Sequence, residues 1–453
     1  MSTPFPSIAM RLAAAALGIA ATAPAAAQQA PAPTPLSLAA AVRRALEHDP
    51  VFGATVATGE AARAAVGEAQ ARWFPVVALT GSAMQYQEPM IAIPIHGFEA
   101  DRIPPFDETL FQAGVTLQYT LFDGARRARV RGARARSDAA LAAVDEAAQT
   151  AIARTVRAYL AVLGDRGVLD AHDRRLAALD SELGRVRLRR DAGKAADVEV
   201  LRVEATLAAA RAERVRAAAD LDVAERELAR LADLPPDGAR AERLVAVEAE
   251  AEPVHAREVL LARALATNPV LERARREQAA AHAGRAVATA ARWPTLDLIG
   301  AYMDRGGLDT EHQLEWNVGV QLSYPLFTGG AVAGAAERAG AESRAAAQRV
   351  RAVEQQVARD VDRALAAVEE TAARVASLET AVTRFAEVAR IEQLRLDAGS
   401  GTQTDYLNAE ADLLAARAAL VEATHGAIAA RVDLARVIGA LDLVWVEDIG
   451  ETP

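Results

Sequence analysis

Residues 114–124 read GVTLQYTLFDG, and residues 319–329 read GVQLSYPLFTG. In each stretch apolar and polar residues alternate. The alternation stops at Phe-Asp-Gly or Phe-Thr-Gly, and alanine-rich sequence follows at once. A period of two is the signature of a strand, and a proline-free run of strong helix formers is the signature of a helix. The chain therefore makes the same strand-to-helix transition twice. Working outward, three more blocks recur in the same order. ALEHDP (45–50) returns as ALATNP (264–269), and ARWFPVVALTGS (71–82) returns as ARWPTLDLIGAY (291–302). Asp191-Ala192-Gly193 returns as Asp397-Ala398-Gly399. Blocks repeated in order mean an internal duplication, and a duplication sets the architecture.

Each half has one grammar. A short helix ends at Asp-Pro or Asn-Pro, where the proline disfavours continuation. A second helix runs to Trp73 or Trp293, and then come two strands and two long helices. No proline occurs in 125–234 or in 327–452. The Asp-Ala-Gly blocks read as helix ends with glycine in the left-handed cap, so each long stretch folds back as a hairpin. The longer arm, 125–192, would extend roughly 100 Å at 1.5 Å per residue. Its apolar stripe, including Leu176, Leu179, Leu183 and Val186, needs cover from neighbouring helices, as in a coiled coil.

The strands are two-faced. Val115, Leu117, Tyr119 and Leu121 fall on one face and Thr116, Gln118 and Thr120 on the other, with the same pattern in the second copy. Such a sheet suits either a soluble sandwich or a bilayer. Strands of about ten residues can cross a bilayer when tilted. Trp73 and Trp293 stand where the upward strands begin, and Phe122 and Phe327 where the downward strands end. Aromatic residues at matched strand ends form a membrane girdle. Phe111, Trp316, Tyr86 and Tyr302 would form the opposite one. One chain supplies only four strands, whereas the smallest membrane barrels have eight and open edges in lipid are costly. A sheet of this kind in a membrane has to be completed by further copies, and three would give twelve strands.

The chain carries a formal charge of −10 and no cysteine. Acidity without a basic face argues against nucleic-acid binding. The absence of cysteine excludes disulfides, thiolate metal sites and a cysteine nucleophile. Arg11, the apolar run 12–20 and Ala25-Ala26-Ala27 read as an export signal cleaved after residue 27, with an uncleaved anchor as the alternative. No later apolar run is expected to span a membrane as a helix. The seven histidines show no metal-ligand spacing, and no phosphate loop or nucleophile elbow occurs. No enzyme activity, cofactor or metal is expected.

The duplicated A-L-x-x-[DN]-P, W-(x)-P, Y-x-L-F-[DT]-G and x-A-G blocks together resemble those of the TolC-like outer-membrane efflux channels, across 36–438. The resemblance implies a mixed, mainly α fold: long helical hairpins forming a periplasmic tunnel, and four strands per protomer joining a trimeric twelve-stranded outer-membrane barrel. It further implies docking onto a periplasmic adaptor and an inner-membrane pump. The tips, Asp191, Ala192, Gly193 and Lys194 with Asp397, Ala398, Gly399 and Ser400, would meet the adaptor. An aspartate ring in the best-known members maps to Asp405 and, one turn on, to Asn408. The tyrosine and arginine that tie the coils shut in some members map to Leu396 and Gly401, and their partner to Glu199. This chain thus keeps one acidic position and lacks that lock. Leu396 could instead close the pore as an apolar ring. Asp405 could equally serve as a favourable acid in the first turn of its helix.

The expected organisation is a signal at 1–27 and a first repeat at 28–254, with strands 75–86 and 111–122 and a hairpin at 125–234. The second repeat is 255–453, with strands 294–303 and 316–326, a hairpin at 330–438 and a C-terminal equatorial segment. The long loop 87–110 is expected to fold over the barrel mouth. The leading functional expectation is a passive exit duct for small molecules such as drugs or metabolites. Alternatives are a duct for a type I secreted protein, a periplasmic adaptor and a coiled-coil scaffold. The two-fold repetition of strand pair and hairpin speaks against the last two.

Overall fold

The computed structural model describes residues 35–93, 104–241, 244–247 and 256–449. The expected export signal and part of the expected lid loop lie outside these residues. The first repeat contains α1 (Leu38–His48), α2 (Pro50–Ala71), β1 (Val76–Ile91), β2 (Phe106–Asp123), α3 (Arg126–Asp191), α4 (Asp197–Leu231) and the single turn α5 (Gly238–Ala241). The second contains α6 (Arg257–Thr267), α7 (Pro269–Ala290), β3 (Thr295–Gly307), β4 (Gln313–Ser323), α8 (Ala331–Asp397), α9 (Gln403–Val437) and α10 (Leu443–Asp448). The fold is mainly α with one four-stranded antiparallel sheet, and it is built twice.

The repeated Asp-Pro and Asn-Pro blocks have a physical explanation. Asp49 and Asn268 are the N-caps of α2 and α7, and Pro50 and Pro269 occupy the first helical turn, where no N–H is needed. Each cap also reaches a distant helix. Asp49 pairs with Arg154 of α3, and the Asn268 amide donates to the Val437 carbonyl of α9 at 2.8 Å. One motif therefore starts a helix and pins it to the root of a hairpin.

The hairpin rods have no single core. Separate clusters are strung along them. The largest gathers Leu38, Val42, Ile152, Val156, Tyr159, Leu228, Ile428 and Val432 around the hairpin roots. Within it the Tyr159 hydroxyl lies 2.8 Å from the Leu36 carbonyl and accepts the Val245 N–H at 2.8 Å, so it holds the backbone at Leu36 and at Val245 at once. By length and mean hydropathy α9 is apolar enough to cross a bilayer, which the sequence reading did not expect. It packs instead against α8 and α3, and its alanines make that close packing possible.

The sheet runs in the order β1-β2-β3-β4, so β1 and β4 are its edges. In-register pairs set Val77, Leu79, Val115, Leu117, Leu298, Gly300, Tyr302, Trp316, Val318 and Val320 on one face. Thr80, Ser82, Thr116, Gln118, Asp297, Asn317 and Gln321 fall on the other. The apolar face has no second layer over it: Leu79 is 82 % exposed and Leu322 67 %. A soluble sandwich would bury these residues. The expected strand ends are corrected in both pairs: β3 runs on to Gly307 rather than 303, and β4 covers Gln313–Ser323 rather than 316–326, while the first pair is longer than expected. After an irregularity between Gln85 and Met90, Met90 and Ile91 resume pairing with Asp107 and Phe106, so the ladder takes in both ends of the expected loop. The expected place of Leu121 is corrected too. A bulge there makes Phe122 the partner of Leu296, so Phe122 joins the apolar face in its stead.

Candidate gate at the hairpin tips

The two tips close with the same backbone device. At the first, the Lys194 N–H donates to Arg189 O and the Gly193 N–H to Arg190 O, both at 2.8 Å. At the second, the Ser400 N–H donates to Arg395 O at 2.9 Å and the Gly399 N–H to Leu396 O at 3.1 Å. Gly193 and Gly399 have φ of +71° and +73°, the left-handed geometry that this pair of bonds requires. Asp191, Ala192, Gly193, Lys194, Asp397, Ala398, Gly399 and Ser400 are exposed or nearly so. Gly401 lies against the chain before the turn, where an added Cβ would meet the Arg395 Cβ at 2.9 Å.

After the second tip the sequence TQTDYLN starts α9. Thr402 is the N-cap and accepts the Asp405 N–H at 3.1 Å, while its hydroxyl donates to the Asp405 carboxylate at 2.7 Å. Thr402 and Asp405 thus cap the helix reciprocally, and the acid sits at the positive end of the helix dipole. The side chain nevertheless stays exposed, and Asn408, three residues on, is exposed on the same face. The opposite face is buried. Tyr406 and Leu407 pack with Leu179, Leu183, Val186, Val200 and Val203. Burial pushes the Tyr406 phenol up to about 12. Glu199 is half-buried in the first turn of α4.

The expected apolar ring at Leu396 is corrected by this packing. Leu396 is 6 % exposed and belongs to the same cluster as Tyr406. It stands at the end of α8 on the side that meets the first hairpin, so its side chain is spent within the protomer.

Sequence reasoning missed a polar group beside this cluster. Glu182 of α3 is 1 % exposed, and Gln403 of α9 is 6 % exposed. The Gln403 amide donates to Glu182 at 3.3 Å, and Arg185 pairs with Glu182 at 2.6 Å. Arg185 also reaches Asp397 at 3.2 Å and lies over the Tyr406 ring at 5.9 Å. The signal for these residues lay in the repeat: Tyr406 and Gln403 stand where the first copy has Val200 and Asp197.

At the other end of the hairpins, the four aromatics expected to form a girdle lie toward one end of the sheet and are exposed: Trp73 41 %, Phe122 46 %, Trp293 63 % and Phe327 90 %. Gly124 lies beside the Trp293 side chain, and the Arg126 guanidinium covers the Trp73 ring at 4.8 Å. Asp123 of the Phe-Asp-Gly turn accepts the Ala125 N–H at 2.8 Å and pairs with Arg129 in the first turn of α3. In the second copy Gly329 and Gly330, with φ of +60° and +87°, make the same turn by backbone freedom.

With a sheet of exposed apolar face above two capped helical hairpins, the comparison with known proteins is specific. The model of the family described as "Outer membrane efflux protein" matches residues 41–232 and 260–440, one segment in each repeat. The chain belongs to the outer membrane efflux protein family. Among curated relatives, the outer membrane efflux protein BepC of Brucella suis biovar 1 is 26 % identical over 334 residues, covering 72 % of each chain. The outer membrane protein TolC of Vibrio cholerae is 24 % identical over 430 residues, covering 91 % of this chain and 93 % of its own. Among solved structures, VceC of Vibrio cholerae superposes with a TM-score of 0.75 at 21 % identity, covering 89 % of this chain and 96 % of its own. This efflux protein is accordingly an outer-membrane channel of the Gram-negative envelope that reaches into the periplasm.

Proposed function

We propose that three copies of this chain form a single exit duct, a twelve-stranded barrel continued by a helical tunnel, that passes small molecules delivered by a periplasmic adaptor and an inner-membrane pump. The observation that carries this reading is a four-stranded sheet whose apolar face is uncovered and whose edges, β1 and β4, have no further strand beyond them among the described residues. In lipid such edges must be paired, and further copies can pair them without any other component.

The helices support the same assembly. On α4, residues Val198, Leu201, Ala205, Ala208, Ala212, Val215 and Ala219 are exposed at alternating three- and four-residue spacing. That is a coiled-coil seam with nothing on it. On α8, Val388, Ile391 and Leu394 are exposed near the tip. The helices α4 and α8 make no extended contact with each other inside the protomer, so the seam of one copy is free to meet the face of the next.

Asp405 and Asn408 would face the lumen from each copy, where three carboxylates favour cations and disfavour anions. The four aromatics would mark the periplasmic membrane interface, with lipid against the apolar face. The duct itself performs no catalysis, and energy comes from the pump. The exposed tips are the surface offered to the adaptor.

The test is a site-directed cross-link in cells through Ser400→Cys, with captured proteins identified by mass spectrometry. The chain has no cysteine of its own, so the probe is clean. An adaptor captured together with a proton-driven pump is the expected result. An adaptor with an ATP-driven exporter would move the reading to protein secretion. Capture of no adaptor would overturn the docking role of the tips.

A further inference from the structure

The Ala-Arg-Trp block occurs twice, at 71–73 and 291–293, and its surroundings differ. In the first copy the Arg126 guanidinium covers the Trp73 ring at 4.8 Å, and Arg126 is buried. Counting from the repeated strand, Ala331 stands where the first copy has Arg126. Among the described residues no cation covers the Trp293 ring, and Trp293 is the more exposed of the two. What lies there is a cavity of about 670 Å³, lined by Thr289, Arg292, Trp293, Pro294, Leu322 and Tyr324.

The walls fix where this cavity sits. Leu322, opposite Leu296 in the ladder, belongs to the apolar face of the sheet. Arg292 directly follows the C-cap of α7, and Thr289 lies in the last turn of that helix. The cavity therefore has a greasy wall toward the strands and a polar wall toward the helices. Its polar groups are of one kind. The Arg292 guanidinium, the Trp293 indole N–H and the Tyr324 hydroxyl can all donate, and no carboxylate lines the cavity. None of these three side chains has a hydrogen-bond or ion-pair partner among the described residues. The Thr289 hydroxyl is already committed, donating to the Arg285 carbonyl at 2.8 Å. Other arginines near the Phe-Asp-Gly turn are matched within the protomer: Arg129 pairs with Asp123, and Arg126 donates to the Thr120 carbonyl.

We propose that this cavity holds the headgroup of an anionic phospholipid from the periplasmic leaflet, with Arg292 on the phosphate and the acyl chains running over Leu322. The proposal rests on the duct reading above, because it needs the apolar face of the sheet to stand in lipid. An arginine in water needs no partner, but one at a membrane interface has lost part of its water and requires an anion. The guanidinium fork fits phosphate oxygens, and the Tyr324 hydroxyl supplies a further donor to them. Trp293 fills the level between headgroup and hydrocarbon, where an indole is at home. A headgroup that also carries an ammonium would meet Arg292 with no carboxylate to balance it, so charge selects the anionic lipid. Pairing of β4 with the next copy uses the edge of the strand and leaves its face open. The expected stoichiometry is one lipid per protomer, because the first copy offers no matching cavity beside Trp73.

Native mass spectrometry of full-length trimers in detergent tests this, with phosphatidylglycerol and phosphatidylcholine of the same acyl chains as probes. Wild type should retain one phosphatidylglycerol per protomer and hold phosphatidylcholine several-fold more weakly. Arg292→Gln should weaken phosphatidylglycerol roughly tenfold and erase the preference. The trimer should stay intact in that variant, because Arg292 has no partner to lose within the protomer. Arg72→Gln, at the matching position of the first copy, is the control and should keep the wild-type affinity. Should Arg292→Gln fail to assemble, Tyr324→Phe removes the second donor and should weaken phosphatidylglycerol several-fold. Equal retention of phosphatidylglycerol by wild type and by whichever variant assembles overturns the site. Equal retention of the two lipids by wild type overturns the selection of an anion. A wild-type chain that forms no trimers overturns the duct reading instead.

Discussion

Asp405 combines two roles on one side chain. Its backbone N–H and carboxylate complete the cap with Thr402, and the same carboxylate remains at the surface. The substitution Asp405→Asn separates the two. An asparagine oxygen can still accept the Thr402 hydroxyl, so stability should change by no more than about 0.5 kcal/mol. The lumen would lose three negative charges, so block by a trivalent cation added from the tip side should weaken several-fold in bilayer recordings. Unchanged block would remove Asp405 from the pore. At the same scale, the tip glycines were readable from their Asp-Ala-Gly context, because the left-handed cap is a local requirement. Asp233 was not readable. It adopts φ +49° at the end of α4, where the second copy uses Gly439 at φ +68°. At Gly439 the requirement is also tertiary, since a Cβ would lie 2.3 Å from the Thr267 carbonyl oxygen.

Among the elements, α7 shows how a local signal and a distant contact coincide. Asn268 accepts the Leu271 N–H at 3.1 Å as cap and donates to Val437 O at 2.8 Å as tether, while only 8 % exposed. Asn268→Ala loses the cap and leaves a buried carbonyl unpaired, a combined cost of about 2–4 kcal/mol. Thermal unfolding of the purified protein should show a lowered midpoint, and a loss no larger than that of an ordinary cap would mean that the tether contributes nothing. The capping half of this role was legible in the Asn-Pro block. The tether was not, because its acceptor lies 169 residues away in the chain. The strands divide the same way. Their alternation was legible, but the bulge at Leu121 depends on where Phe122 meets Leu296 of the other repeat.

Taken as a whole, the molecule leaves an apolar seam on α4 and the apolar face of its sheet exposed. The seam on α4 and the unpaired edges of the sheet, β1 and β4, point to the same remedy, further copies. Val215 lies 66 % exposed within that seam. Val215→Asp should place a charge in the interface between copies and abolish the trimer band on native gels, with the far-ultraviolet helix signal retained. A trimer that persists would mean that α4 does not meet the next copy. The sequence by itself determined the duplication, the long helices, the two-faced strands, the caps and the family resemblance. All of these are written in residue spacing of two, of three and four, or of one whole repeat, and need no knowledge of what lies across the fold. Only the tertiary structure decided that Leu396 points inward, that Glu182 is buried and Arg185 half-buried between hairpins, and that Val388 and Ile391 are exposed. The two repeats share their motif blocks but have unequal neighbours, because α3 meets a helix of its own protomer where α8 leaves its face bare. Which side of a helix is covered depends on that neighbour, and a neighbour some two hundred residues away leaves no local trace in the pattern.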